Sequence, residues 1–141
     1  MTLIQKLTAI MLFANLLVIA GTAGLLFWPA HLPIIYNEPF PVRPEVVHKG
    51  DTLFYTMELR RDSQYNADWN RNIICEDGNL VTLSPQHTDM PIGKQTVTGS
   101  IVIPQKASFS VCYLQLEVSY QVNPLRREHQ TMRTQSFTIV K

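Results

Sequence analysis

One segment limits what this chain can fold into more than any other feature. Residues 7–28 contain no charged side chain and are dominated by Leu, Ile, Ala, Phe and Val. At about 1.5 Å of rise per residue, a helix of this length crosses the roughly 30 Å hydrocarbon core of a bilayer. Lys6 precedes the run, Trp28 suits the membrane interface at its end, and Pro29 cannot continue a helix. We therefore predict an N-terminal transmembrane signal-anchor helix over residues 1–28.

A cleaved signal peptide is the alternative for the same segment. Gly21, Thr22 and Ala23 are small residues at which a peptidase could cut, and cleavage would release a secreted periplasmic protein. The apolar run continues past this point through Leu25 to Trp28, which makes it longer than a typical signal-peptide core. We therefore expect the anchor to be retained.

The short N-terminal tail and the long remainder are typical of a signal-anchor whose N-terminus stays in the cytoplasm. The charges on the two sides of the helix differ little. The expected orientation therefore depends mainly on the N-terminal tail being short and the segment after the helix being long. The helix would then lie in a bacterial inner membrane, with lipid as its partner and the C-terminal domain in the periplasm. Ala20 and Gly24 are spaced i, i+4 and could let two helices approach as a homodimer, although small residues are common in such helices.

The segment after the helix is rich in proline. Residues 29–44 hold five of the nine prolines in the chain: Pro29, Pro33, Pro39, Pro41 and Pro44. Such spacing excludes a helix and favours extended chain, so we predict a stalk over residues 29–44 that merges into a first edge strand. Ile34, Ile35 and Phe40 are too apolar for a free linker, and we expect part of the segment to lie against the membrane or the domain.

The remaining residues show the alternation of apolar and polar side chains that is typical of half-buried β-strands. The alternating stretches are residues 53–60, 69–76, 80–83, 95–103, 108–122 and 132–140. Asp77-Gly78 lies between two apolar runs and favours a tight hairpin, whereas residues 125–130 are expected to form a turn. This series predicts an all-β fold, an immunoglobulin-like antiparallel β-sandwich over residues 45–141.

Cys75 and Cys112 share the inward phase of their predicted strands. An exported domain lies in an oxidising compartment, so the two cysteines could form a disulfide. Two free buried thiols are the alternative, because immunoglobulin domains place their bridge between the second and the penultimate strand, and the second predicted strand has no cysteine. The sequence leaves both outcomes open.

Composition and spacing argue against several classes of function. With 12 Lys and Arg against 11 Asp and Glu, the chain has no basic field, and we expect no nucleic-acid partner. The four histidines are scattered without metal-ligand spacing, so no metal site is expected. No nucleophile motif and no phosphate-binding glycine loop is present, so we predict no catalytic residue, no cofactor and no enzymatic activity.

Recognition by the domain surface is the remaining expectation. Loops on a rigid scaffold commonly carry binding, and residues 61–70 and 84–93 are polar enough to serve as such loops. Arg61, Tyr65 and Trp69 are residue types that often act as interface anchors, so we predict a binding surface there. A tryptophan that opens a strand is commonly a core residue, and that interpretation of Trp69 stays open.

Two stretches stand out as motifs without evident chemistry: KGDTLFY at residues 49–55 and YQVNPLR at residues 120–126, the latter followed by a terminal SFTIV strand. Together they resemble small membrane proteins of tailed bacteriophages that have a leading hydrophobic helix and an immunoglobulin-like domain. The resemblance implies a phage origin and a location in the host envelope, without a mechanism.

These expectations combine into one function. We predict a single-pass membrane-anchored binding or scaffolding module that exposes a β-sandwich to a protein partner outside the cytoplasm. The alternative is a structural component of a virion or of a cell-surface assembly.

Overall fold

The computed structural model describes residues 2–87 and 91–141. It begins with helix α1, Leu3–Phe27, which Thr2 caps: the Thr2 hydroxyl accepts from the Gln5 backbone N–H, and the Gln5 side chain accepts from the Thr2 N–H at 2.9 Å. No residue of α1 is buried, and the helix is apolar along most of its length. The predicted single N-terminal apolar helix is confirmed, and it is long enough to cross a membrane.

The rest of the described chain is built from short and long β-strands. They are β1 Ile34–Ile35, β2 Val42–Arg43, β3 Val46–His48, β4 Thr52–Arg61, β5 Asn66–Cys75, β6 Leu80–His87, β7 Gly93–Val102, β8 Val111–Asn123, β9 Arg126–Arg133 and β10 Phe137–Val140. The predicted all-β character of this part is confirmed.

The strands form two sheets around a shared core. In the first sheet, β4 pairs with β7 on one side and with β1 and β2 on the other, always antiparallel. In the second, the order is β6-β5-β8, with β9 and β10 both beside β8 and with β3 parallel to β10. Buried side chains from both sheets belong to one hydrophobic cluster, so the domain is a two-layer arrangement.

Alternation along the long strands places that cluster. In β4 the inward positions begin with Leu53 and Tyr55 and continue every second residue, and in β8 they run from Cys112 to Tyr120. These inward side chains belong to the shared core cluster, whereas the intervening side chains are more exposed. The period-two pattern therefore identified the core faces of both strands correctly.

Residues 29–44, predicted as a stalk that merges into a first edge strand and lies partly against the membrane or the domain, contact the domain over much of their length. β1 and β2 lie within this segment and pair with β4, so part of it belongs to the first sheet. Phe40 is fully buried, its N–H donates to the Arg133 carbonyl at 3.0 Å, and its carbonyl accepts from the Gln135 N–H at 2.7 Å. These bonds join the two sheets along one side. The domain therefore starts before residue 45, because burying these apolar side chains outweighs the solvation of a free linker.

The predicted turn over residues 125–130 is also wrong. The turn is confined to Pro124 and Leu125, and β9 begins at Arg126 and pairs with β8 from there on. β9 is mostly polar on both faces until the buried Met132, so its sequence lacks the apolar alternation by which strands are recognised.

Candidate functional site

Cys75 and Cys112 form a disulfide in the structure. They stand directly opposite each other on β5 and β8, with the Cα atoms 4.0 Å apart, and both side chains are buried. The bridge therefore joins neighbouring strands of one sheet rather than the two sheets. It lies at the end of the domain that is remote from α1.

The opposite end of the domain contacts the end of α1. The turn between β8 and β9, residues 123–126, is named here the capping hairpin. The Asn123 side-chain amide donates to the Leu25 carbonyl at 2.6 Å, and the Arg126 guanidinium donates to the carbonyls of Leu26 at 3.1 Å and of Trp28 at 2.6 Å. The capping hairpin thus supplies donors to the last carbonyls of the helix.

Carbonyls at a helix C-terminus have no partner within the helix and carry partial negative charge. A guanidinium placed there satisfies hydrogen bonds and complements the dipole. Glu128 forms an ion pair with Arg126 and orients that side chain. The YQVNPLR motif, which carried no evident chemistry in the sequence, therefore contains the two residues that connect the domain to the helix.

The predicted binding surface of Arg61, Tyr65 and Trp69 is not exposed. Arg61 and Trp69 are buried, and Tyr65 packs partly buried against the core. The Arg61 guanidinium donates to the Tyr65 carbonyl at 3.2 Å, and the Tyr65 hydroxyl accepts from the His31 N–H at 3.2 Å. This prediction is corrected: Arg61 and Trp69 lie in the inward phase of β4 and β5, so they pack inside the domain instead of presenting a surface.

A cleft opens on the side of the domain where the two sheets are not joined. There β6, which pairs only with β5 in the described chain, faces β7, which pairs only with β4. The cleft has a volume of about 270 Å³ and is named here the edge cleft. Its lining comprises Tyr55, Met57, Trp69, Arg71, Gln86, Val97, Thr98, Gly99 and Ser100.

Arg71 connects the two walls of the edge cleft. Its guanidinium donates to the Ser84 carbonyl on β6 at 3.0 Å and to the Ser100 carbonyl on β7 at 3.4 Å. The side chain is only 8% exposed. Burial raises the pKa of the neighbouring Tyr55 hydroxyl, and the charge of Arg71 offsets part of that rise. A cation thus lies between the edge strands of the two sheets.

Two N–H donors in the edge cleft are buried without a hydrogen-bond partner among the described residues: Arg71 Nε and Trp69 Nε1. Tyr55 and Gly99 also line the cleft, and they are paired in register across β4 and β7. A Cβ on Gly99 would lie 2.2 Å from Tyr55 Cζ, so the ring occupies the space that any other side chain would need. The absence of a side chain at Gly99 therefore leaves room for the Tyr55 ring.

Sequence reasoning missed the edge cleft, although one signal was available. Arg71 lies between Trp69 and Ile73 in the inward phase of its strand, where an unpartnered charge is costly. A cation at such a position indicates a specific set of acceptors, but the acceptors are backbone carbonyls of other strands. Their identity depends on the register and cannot be found from residue types.

No protein-family model matches the chain, and no curated protein matches it. Among solved structures, it is similar to Pseudomonas fluorescens alkylpurine DNA glycosylase AlkC bound to DNA containing an abasic site analog, with a TM-score of 0.46 and 11% identity over 80% of this chain and 32% of that chain. That protein is an enzyme, so this finding contradicts our prediction of no enzymatic activity, which we withdraw. A likeness at this TM-score assigns no activity to the present chain. The bacteriophage resemblance stays a prediction.

Proposed function

We propose that this protein is a single-pass membrane-anchored recognition module whose immunoglobulin-type domain lies outside the cytoplasm. The observation that carries the proposal is a buried disulfide in a domain that directly follows a helix of membrane-spanning length. Disulfides persist in oxidising compartments such as the bacterial periplasm and are rare in the cytosol. The bridge therefore supports export of the domain, and an apolar helix with no buried residue supports retention in the membrane.

The strand order supports an immunoglobulin-type arrangement. β4 pairs with β7 in one sheet, while β5, β8 and β9 are neighbours in the other. Strands B and E share one sheet and strands C, F and G the other in immunoglobulin domains, which is the same relation. The disulfide departs from that family, because it links two strands of a single sheet.

The capping hairpin supports a role in which the domain is held in one orientation for a protein partner. Three side-chain hydrogen bonds from Asn123 and Arg126 hold the domain to the end of α1. A domain held in this way keeps a fixed orientation to the bilayer, with the hairpin towards the membrane and the disulfide end away from it. The edge cleft, between these two ends, then stays accessible to a protein partner in the same envelope.

Protease accessibility in bacterial cells that produce the full chain tests this proposal. In spheroplasts, added protease should digest the domain and leave a protected fragment that contains α1, while a cytoplasmic control protein stays intact. A domain that becomes digestible only after the inner membrane is lysed would overturn the proposed topology.

A further inference from the structure

We infer that the edge cleft binds a carboxylate, the acidic side chain of an extended segment of a partner polypeptide that lies along the free edge of β7. The inference rests on the proposed recognition function and names the chemistry of its ligand. Three features of the described residues carry it: a buried cation without a carboxylate partner among them, two N–H donors without a partner in side chains that line one cleft, and a strand edge beside them that pairs with no described strand.

The cation is Arg71. No salt bridge among the described residues includes it, and the groups it contacts, the carbonyls of Ser84 and Ser100 and the Tyr55 hydroxyl, are neutral at pH 7. The full charge of the buried guanidinium therefore faces only dipoles. A carboxylate is the group that matches a guanidinium in charge and in planar geometry, and charge-assisted bonds of this kind are about twice as strong as neutral ones.

The donors are Arg71 Nε and Trp69 Nε1. Buried N–H groups in proteins are almost always paired, so two unpartnered ones in the lining of a single cleft indicate acceptor atoms supplied from outside the described residues. A carboxylate has two acceptor oxygens, one for each of these donors. The apolar side chains of Met57 and Val97 in the same lining suit the methylene groups that carry such a carboxylate.

Size and position indicate a side chain on a polypeptide rather than a whole small molecule. The volume of about 270 Å³ lies just below the range of about 300–1,000 Å³ that is typical of small-molecule pockets. β7 pairs only with β4 in the described chain, so its outer edge offers backbone groups to an added strand, apart from the Ser100 carbonyl, which accepts from Arg71. Residues 97–100 of this edge line the cleft in an unbroken run. A segment along β7 would therefore lie next to Arg71, which contacts this edge at Ser100.

Peptide binding to the full-length protein in detergent micelles tests the inference. The probes are two capped fluorescent heptapeptides of alternating Thr and Val that differ only at the central residue, Glu in one and Gln in the other. Fluorescence anisotropy should show that the Glu peptide binds about 10- to 100-fold more tightly, as expected for hydrogen bonds to a charged group. Arg71→Met should remove this preference, whereas Arg127→Met, at an exposed arginine outside the cleft, should keep it.

A second measurement needs no variant in the cleft and stays informative if Arg71→Met does not fold. In the ¹⁵N-labelled Trp28→Phe protein, the indole N–H of Trp69 is the sole tryptophan signal. Its resonance should shift with the Glu peptide and stay in place with the Gln peptide. Equal affinities for the two peptides, no binding of either, or an unmoved indole signal would overturn the inference. Because micelles impose no topology, these results are independent of the protease experiment.

Discussion

Replacing both cysteines, Cys75→Ala/Cys112→Ala, should strongly reduce the free energy of unfolding of the domain. The bridge spans a sequence separation of 37 residues, and in the chain-entropy model a loop of that length stabilises the folded state by about 4 kcal/mol. With an m-value of about 2 kcal/mol/M, the urea midpoint should fall by about 2 M. Trp69 fluorescence reports unfolding of the full-length protein in micelles, in a Trp28→Phe background that leaves it as the single tryptophan.

Reduction of the unsubstituted protein provides the matched control, because it breaks the same bond and keeps both sulfur atoms in the core. The reduced protein and the double alanine variant should unfold at similar urea concentrations, both well below the oxidised protein. Their m-values should also exceed that of the oxidised protein, since the unfolded chain without the bridge exposes more surface. Equal midpoints for the oxidised and reduced proteins would refute the account of the bridge as a constraint on the unfolded chain.

Three further changes have expected outcomes. Burial raises the pKa of Tyr120 to about 12 from an unfolded value near 10, so the unfolded state loses its proton first and stability falls as pH rises between these values. Tyr120 should account for a loss of about 1.4 kcal/mol at pH 11 in urea titrations, and the loss in Tyr120→Phe should be smaller by this amount, since Tyr55, whose pKa burial also raises, still titrates in the variant. Gly99→Ala should cost about 1–3 kcal/mol by overpacking against Tyr55, and calorimetry should show a smaller cost when Tyr55→Leu is present. Asn123→Ala/Arg126→Ala should broaden the distance distribution between spin labels on α1 and on β6, with little change in the thermal midpoint of the domain.

Most of the fold follows from patterns that are local in the sequence. The uncharged run at residues 7–28 specifies α1, because only a helix satisfies its backbone in an apolar environment. Period-two alternation specifies β4, β5 and β8, because each has one face in the core. β9 was missed, since it is polar on both faces. Within residues 29–44 the sequence predicted only that a stalk merges into a first edge strand, because the two strands there are short and interrupted by proline.

The candidate site follows from the sequence to a smaller extent. The alternation of side chains placed both Cys75 and Cys112 on the core face of their strands. Whether they stand opposite each other depends on the register of β5 against β8. The same phase, applied to Arg61 and Trp69, would have placed both inside the domain, whereas residue type alone suggested surface anchors. Arg71 and the capping hairpin act through backbone carbonyls that lie far away in the chain, and no local pattern encodes such contacts.

Intact mass spectrometry of the unreduced protein, extracted from bacterial membranes, tests the central claim most directly. A retained anchor on an exported, oxidised domain predicts the full mass of 16.1 kDa, with or without Met1, lowered by the mass of two hydrogen atoms for the disulfide between Cys75 and Cys112. A product that begins after Ala23, or a full-length product in which both thiols keep their hydrogens, would contradict it.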